Sequence, residues 1–446
     1  MRSAYGRYRN RANDHEMTFR ACLFVLGLAI FAVIFMVYNG QFGKLWGITW
    51  ANTPVWFIIA LVAGWGLFWT LYKKEMNWVE YLVYLLFCIP MTIPFIMMGY
   101  WWSTGLYAVE NINGYVHGGE YYEAYTTETT YTDSDGKEHT TRTYHPPEWY
   151  LLSSVVLHGH RQKVDCTSRD YKHYVKKFGN EKFHLLSHVG QVSVGDGNMY
   201  STAWDGKAST KTPMVSPHPY VSYIKASERM KSMHALVSGY EELLREYPEI
   251  HGGPNGPIEL DRVLVAGASV PSGWVREVDR LLDEKLMQLG SAKQCNILVY
   301  VVHTGNRGFA GALEGYWTGG NKNDVIVIVG TTHYPKIDFA DVLCLNTQPL
   351  FPIALRDELE SLGTLDVSAK QFAEIVTSHV AKPASQGGYE REPMAAYEYL
   401  KYEIRLPLWA SILLVVFSVG CTTPFMIFFL TNDFDDEDTN ILLKGT

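Results

Sequence analysis

Two groups of residues in this 446-residue chain have the types and spacing to hold a metal. The first is His158-Gly159-His160, followed by Asp165 and Cys166. Alternating histidines on a strand put both imidazoles on one face, and a thiolate would complete a transition-metal set. His184 and His188 add an i, i+4 pair if EKFHLLSHV is helical. No recognised ligand spacing joins them, and with 15 histidines in the chain, hydrogen-bonded surface histidine is the plainer reading. The second group, Asp338 and Asp341 with Asn323, Asp324 and Asp366, offers the oxygen ligands a hard divalent cation needs, provided adjacent strand ends bring them together. Solvated loop carboxylates are the bland alternative. A divalent metal is therefore the only cofactor these residues suggest, with Asp324, Asp338, Asp341, His158 and His160 as candidate ligands. The chain has no G-x-S-x-G, no phosphate-cradling G-x-x-x-x-G-K-[ST] and no paired His-Cys signature, so no local motif nominates a catalytic residue.

The elements around these residues begin with membrane. Residues 21–38, 54–72, 81–100 and 408–430 run without a charge, each about the length that spans a ~30 Å hydrocarbon core. Trp46, Trp50, Trp56, Trp69, Trp78, Trp101, Trp102 and Trp409 flank them as aromatic belts do. Arg2, Arg7, Arg9, Arg11 and Arg20 precede the first window and Lys73 and Lys74 follow the second, whereas the loop between carries only Lys44. The positive-inside rule then predicts a cytoplasmic N-terminus, three crossings before an external central region, and a fourth that returns the acidic tail Asp433–Asp438 to the cytoplasm. Lys401 and Arg405 on the outer side of the last window run against that bias. No charged residue enters the windows, and Glu80 stands only at the boundary of the third, which disfavours an ion or proton pathway. A net charge of -8 without a basic run beyond the N-terminus gives no nucleic-acid footprint.

The predicted fold class is a membrane protein with four transmembrane helices and an α+β extracytoplasmic region. Its expected domains are 1–102 (cytoplasmic N-terminus and three helices), 103–227 (β-rich module), 228–385 (α/β domain), 386–406 (linker), and 407–446 (fourth helix and acidic tail). In the β-rich part, two Thr/Tyr-dominated runs flank Asp133-Ser134-Asp135-Gly136, the composition of a hairpin with both faces polar. Such a hairpin buries little, so it is a protruding arm or an edge that pairs with another subunit. From Glu228, Met233, Leu236, Val237, Tyr240, Leu243 and Leu244 recur at helical spacing, and a second helix with Ser272 as its cap carries Trp274, Val278, Leu281, Leu282, Leu286 and Leu289 on one stripe. NILVYVV and DVIVIVG read as central strands, KIDFADVLCLN as a strand nearer an edge, and FPIALRDELESL and DVSAKQFAEIVTSHV as helices. Cys166, Cys295 and Cys344 lie outside the windows, too few for a disulfide scaffold.

The stretches LGSAKQCNILVYVV and WTGGNKNDVIVIVG, with Trp317, Gly320, Asn323 and Asp324 at the turn between helix and strand, resemble the TPM domain over residues ~262–382. Members of that family are α/β-sandwich domains of the bacterial periplasm and thylakoid lumen, typically tethered by membrane helices. They are associated with weak phosphatase activity, divalent-metal binding and maintenance of membrane complexes. After the third strand this chain has NTQPLFPIALRDE where the family usually carries a Gly-Tyr-Gly-Leu-Glu-like segment and an acidic residue near its metal site. The segment His145 to Trp149 is also similar to uncharacterised multi-span membrane proteins of large phages. The resemblance implies a bacterial inner membrane, or a phage-associated one, and a periplasmic central region. Together the features lead to the expectation of a structural or assembly protein that self-associates, with membrane-protein partners and no nucleic acid. The alternative is a membrane-anchored, metal-dependent, phosphatase-like hydrolase.

Overall fold

The computed structural model describes residues 2–38, 40–73, 78–132, 137–157, 159–180, 183–186, 192–194, 197–204, 207, 212–251 and 258–431. The Asp133–Gly136 turn, Lys74, His158, His188 and the acidic tail lie outside these residues. The chain divides into two compact units, one made of Met1–Ala108, Pro219–Ser232 and Met394–Thr446, the other of Val109–His218 and Met233–Pro393.

In the first unit the apolar windows fold as α1 (Arg2–Tyr38), α3 (Thr53–Phe68) with a π-helical turn Trp69–Lys73 beyond it, α4 (Trp78–Ser103) and α12 (Leu408–Thr431); a short helix, α2 (Phe42–Ala51), precedes α3. Thr18–Tyr38, Trp78–Ser103 and Leu408–Phe428 are long and apolar enough to cross a membrane, and α2 with α3, bent by 77°, passes the same test as a pair. Contacts fix how the helices run. Phe19 early in α1 meets Phe428 late in α12 with ring centroids 6.4 Å apart, while Phe35 late in α1 meets Trp101 late in α4 at 5.6 Å. Tyr81 and Tyr84, early in α4, donate to the Ala63 and Val62 carbonyls of α3 at 3.2 Å. Asn52, just before α3, donates from Nδ2 to the Lys401 carbonyl at 3.2 Å, a few residues before α12 begins. Thus α3 starts at the end of the bundle where α1 and α4 finish and runs antiparallel to α4. Small residues permit the close approach: a Cβ on Gly66 would lie 2.8 Å from the Tyr84 ring, and one on Gly99 2.7 Å from Leu414. The helices α6 (Tyr223–Ala226) and α7 (Glu228–Met233) and a 3-10 run Met394–Glu403 complete the unit; Ser222 N donates to Leu106 O at 2.8 Å and Ser227 pairs with Ile404.

The second unit opens with β1 (Tyr107–Tyr122), whose first two residues still belong to the bundle, then β2 (Tyr125–Thr132), β3 (Glu138–His145), β4 (Glu148–Leu157), β5 (His160–Asp165), α5 (Ser168–Phe178), β6 (Phe183–Leu186), β7 (Val192–Val194), β8 (Met199–Ala203) and β9 (Pro213–Val221). Strands β5-β4-β1-β8-β6 form one sheet with β9 also on β1, and β3-β2-β7 form another. Thr167 caps α5 by accepting from Asp170 N at 3.2 Å, and the helix buries Tyr171, Tyr174 and Phe178 beside Trp204. After the small pair β10 (Ile250–His251) and β11 (Glu259–Leu260) comes the α/β part: β12 (Val263–Ala266), α8 (Ser272–Lys293), β13 (Asn296–Val302), α9 (Gly308–Tyr316), β14 (Asp324–Gly330), β15 (Phe339–Cys344), α10 (Leu350–Ser361) and α11 (Ala369–Ala381). Its sheet runs β12-β13-β14-β15, parallel except for the last pair.

Several expectations change. The helical spacing from Glu228 gives only α7 and a 3-10 turn at His234–Val237, because Gly239 turns the backbone into the left-handed region at φ +91°. Leu243 and Leu244 still reach the core from turns. Ser272 is the first residue of α8 rather than its cap; Pro271 precedes it and makes no side-chain capping bond. The expected linker 386–406 holds the 3-10 run Met394–Glu403, which belongs to the bundle unit, while its residues up to Pro393 belong to the other. The β-rich and α/β parts also share one core instead of packing as separate domains. One face of β13 and β14 (Ile297, Val299, Val301, Val325, Val327, Val329) packs under α8, α10 and α11. The other face (Leu298, Tyr300, Val302, Ile326, Ile328) shares a cluster with the nine-residue α9, Leu244, Ile258, Leu260 and Trp317 of its own part and with Val116, Leu151, Tyr171, Trp204 and Met214 of the β-rich part. One hydrophobic cluster thus runs through both parts, the β-rich residues extending the layer that α9 and the turns around Leu244 begin.

Candidate functional site

In β12, β13 and β14 the chain steps one way across the sheet, yet α8 lies on the face of Val299 and α9 on the face of Leu298. Two parallel crossovers stepping the same way with helices on opposite faces have opposite hands, so one of them is left-handed, a rarity at about 2% of such connections. The loops after β12 and β13 therefore part at the carboxyl ends of the strands, where open α/β sheets bind ligands. Gly267 (φ +70°) and His303 line that parting, a Cβ on Gly267 falling 3.1 Å from the His303 Cβ.

The polar groups at this end are already engaged. Thr304 Oγ1 accepts from Asn306 N at 3.1 Å, and Asn306 Oδ1 accepts from Gly308 N at 2.9 Å, starting α9. Asp338 accepts from the Thr332 amide and hydroxyl, both at 2.6 Å, and from Lys336 Nζ at 2.8 Å. The Lys336 ammonium and the Thr332 donors hold its carboxyl well below the usual range. Arg307 stands 4.0 Å from Asp341, donates to the Ala340 carbonyl at 3.0 Å and pairs with Glu360. Asp338 thus clamps the turn between β14 and β15, and Asp341 and Glu360 share one guanidinium. Thr331 Oγ1, fully buried, has no partner.

Asp324 lies at the other end of the sheet. The sequence suggested that Asp324, Asp338, Asp341, Asn323 and Asp366 converge; instead Asn323 and Asp324 stand at the start of β14, while Asp338 follows its last residue, its amide donating to Gly330 O at 2.9 Å. Antiparallel return of β15 places Asp341 opposite Ile328, near the same far end. A seven-residue strand separates the two groups by about 20 Å. Asp324 is 1% exposed and accepts from Asn296 Nδ2 (2.9 Å), Tyr247 Oη (3.1 Å) and the Asn321 amide (2.7 Å). Trp317, which with Asp324 carries the TPM resemblance, donates from Nε1 to Arg245 O at 2.8 Å, and Gly320 (φ +68°) leaves room for the Asp324 carboxylate. These residues build a turn.

Around them is a buried polar network that the sequence reading missed. Arg262, 1% exposed, donates to Asp283 Oδ1 (2.5 Å), Asn296 Oδ1 (2.6 Å) and Asn113 Oδ1 (2.6 Å), and its amide donates to Asp279 Oδ1 at 2.6 Å. Burial, then the nearby Asp283 carboxylate, pushes Asp279 up to about 6. Asn113 and Asn111 come from β1 and reach the sheet: Asn113 Nδ2 donates to Cys295 O at 2.9 Å, and Asn323 Nδ2 to Asn111 O at 2.8 Å. A second buried knot holds Glu110 of β1 between His218 (2.9 Å), Lys322 (3.0 Å) and Arg391 (2.8 Å). Burial works against the charged form of Glu110, but these three partners outweigh it and hold the carboxyl below its ordinary range. A visible signal for the first network was the i, i+4 carboxylate pair Asp279/Asp283 beside the apolar stripe of α8.

Of the histidine group, His160 opens β5 opposite Leu157 and is exposed, and Cys166 is half-buried, its thiol pushed up to about 12 mainly by burial. His184 lies in β6 rather than a helix. Among the described residues no three His, Cys, Asp or Glu side chains are grouped to hold a metal ion. The hairpin is the other candidate surface. β2 and β3 pair from Tyr125↔His145 to Thr132↔Glu138, and their side chains are exposed or half-buried on both faces. One face carries Thr127, Thr129, Thr141 and Thr143 between stacked Tyr125–His145 and Tyr131–His139 pairs; the other carries the Glu128–Arg142 ion pair and a Thr130–Thr140 contact at 3.2 Å. No family model, curated protein or solved structure matches the chain.

Proposed function

We propose that this chain is a four-pass inner-membrane or phage-associated membrane protein, with both termini cytoplasmic, that displays its α+β unit outside the cytoplasm and serves as a self-associating structural or assembly component. The observation that carries this reading is the β2–β3 hairpin, a polar arm exposed on both faces with an outer strand at its side. Four passes are supported by the course of α3, which starts beside Lys401 and leads back to the opposite end of the bundle before α4. A re-entrant α2–α3 pair would end where it began. The arginines of α1 and Lys73 then share one end, as the positive-inside rule asks. The order amphipathic helix, buried strand, short helix, W-x-x-G turn and buried strand supports kinship with the TPM domain.

The hydrolase alternative needs carboxylates free to bind a cation, whereas Asp338 and Asp341 are engaged with Lys336, Thr332 and Arg307. The test has two arms. In intact cells with any outer barrier opened, added protease should cut the hairpin while an N-terminal tag stays protected; the reverse pattern refutes the placement. Purified full-length protein in detergent should run above monomer size at micromolar concentration, and its melting temperature should not rise with Mg2+, Mn2+, Ca2+ or Zn2+. A strict monomer with metal-dependent stabilisation lost in Asp338→Ala would transfer support to the hydrolase.

A further inference from the structure

The self-association proposed above, on which this inference rests, has a specific edge and register available to it. β3 is the outer strand of β3-β2-β7, and no described strand lies beyond it. Two copies pairing along this edge about a two-fold axis run antiparallel, with the axis normal to the sheet. Facing residues then point to the same face, so the axis lies between the two copies of one residue and never between positions i and i+1. Centres at Thr140, Thr141, Arg142 and Thr143 each keep at least five of the eight residues of β3 paired. Charge separates them. Centring on Arg142 sets that guanidinium against its own copy, and the Thr141 and Thr143 centres leave Arg142 opposite Thr140 or Tyr144. Only Thr140 places Glu138 of each copy directly opposite Arg142 of the other, twice, because the two charges sit four residues apart on one face.

The side chains suit this exchange. Glu138 is exposed and its carboxylate has no hydrogen bond or ion pair among the described residues. Arg142, 73% exposed, spends only its Nε on Glu128, leaving both terminal nitrogens for a second carboxylate. On the opposite face the same register sets His139 against Thr141, with no like charges meeting at neutral pH.

We propose that two copies of this chain join antiparallel along β3 about Thr140, with Glu138 and Arg142 bridging the copies reciprocally. Facing Cβ atoms in such a pair lie about 4.5–5.5 Å apart, within reach of oxidative thiol cross-linking. Single cysteines placed along 139–144 in the full-length protein should therefore give disulfide-linked dimers most readily in Thr140→Cys. Thr130→Cys, one strand further from the axis on each side, and Thr143→Cys should give few. Glu138→Arg, which turns two opposite-charge pairs into like-charge pairs, should weaken dimerisation about tenfold or more at low salt, with less effect at high salt. Oligomers whose cross-links peak elsewhere, or that ignore Glu138→Arg, overturn the register while self-association stands. A wild-type protein that is strictly monomeric overturns both.

Discussion

Arg262→Met tests whether the buried network at the amino end of the sheet holds the second unit together. The substitution keeps most of the side-chain volume and removes the guanidinium from a site 1% exposed. Asn296 Oδ1 keeps another donor, Asn113 Nδ2 at 3.1 Å, but Asp283 Oδ1 and Asn113 Oδ1 lose the Arg262 donors that lie 2.5 and 2.6 Å away. Stripping one partner from a buried charge pair costs about 3–5 kcal/mol. Asp283 is still 12% exposed on its side chain, so the lower end applies, about 3 kcal/mol. At about 1.4 kcal/mol per decade that is roughly a hundredfold faster exchange of amide hydrogens that open only with the unit. The assay is hydrogen exchange of the full-length protein in detergent, read over β12 and β13 against α4 as an internal reference. Adding Asp283→Leu should recover part of the protection, since the stranded charge is then gone. Exchange of the β13 amides unchanged within about threefold would show that the network contributes little and that packing alone sets the stability.

Three further outcomes follow from the same geometry. Asp279 has its carboxyl raised to about 6 in the folded state, above its unfolded value near 4, so its contribution is fully present below about pH 4 and lost as pH rises through about 6; protection of α8 should fall between about pH 4 and 6, and Asp279→Asn should flatten that slope. Glu110 is held below its usual range by His218, Lys322 and Arg391, so its stabilisation is present above about pH 4.5 and lost as pH falls through the lowered value; Glu110→Gln should remove this acid-side loss and, by leaving cations without their carboxylate, lower the melting temperature at pH 7. Gly66→Val should force α3 off Tyr84, where even a Cβ comes within 2.8 Å of the ring, and reduce the thermal stability of the bundle in detergent while leaving exchange in β13 and β14 unchanged.

Long, uniform patterns were the legible part of this chain. NILVYVV and DVIVIVG read as central strands because every position is buried, and the stripe of α8 because its period is unbroken. Four residues of VLVA carry too little period to announce β12, yet that strand sets the crossover pattern of the sheet. The Leu236-to-Leu244 series looked helical since its apolar residues do face one core, but Gly239 lets turns deliver them. The candidate carboxylates failed for a different reason. Asp324, Asp338 and Asp341 are close in sequence, and only the direction of β14 puts about 20 Å between the first and the others. Arg262, Asn113 and Glu110 were illegible because their partners lie far away in sequence, 149 residues apart for Arg262 and Asn113 and 281 for Glu110 and Arg391. No local spacing encodes such pairs.

The shared core also decides what the displayed unit can be. If the α/β part were a self-sufficient domain, residues 233–393 alone would fold, as the sequence reading of a domain at 228–385 implied. Leu298, Tyr300, Val302, Ile326 and Ile328 argue otherwise, for each is no more than 2% exposed and their cluster runs on into residues of β1, β4, α5 and the segment around Met214. Losing those residues exposes part of the cluster, in which each large side chain is worth roughly 1.5–3 kcal/mol when fully buried. Uncovering the equivalent of two or three such side chains costs about 3–9 kcal/mol, comparable with the whole stability of an ordinary domain. The fragment also severs Arg262 from Asn113 and Arg391 from Glu110. Residues 233–393 expressed by themselves should therefore aggregate or bind a hydrophobic dye without a cooperative melt, and supplying 109–218 in trans should restore solubility if the β-rich part is a structural layer. A soluble 233–393 fragment with a sharp thermal transition would show that α9, Leu244, Ile258 and Leu260 suffice as a cover and would return the β-rich part to the standing of an independent module.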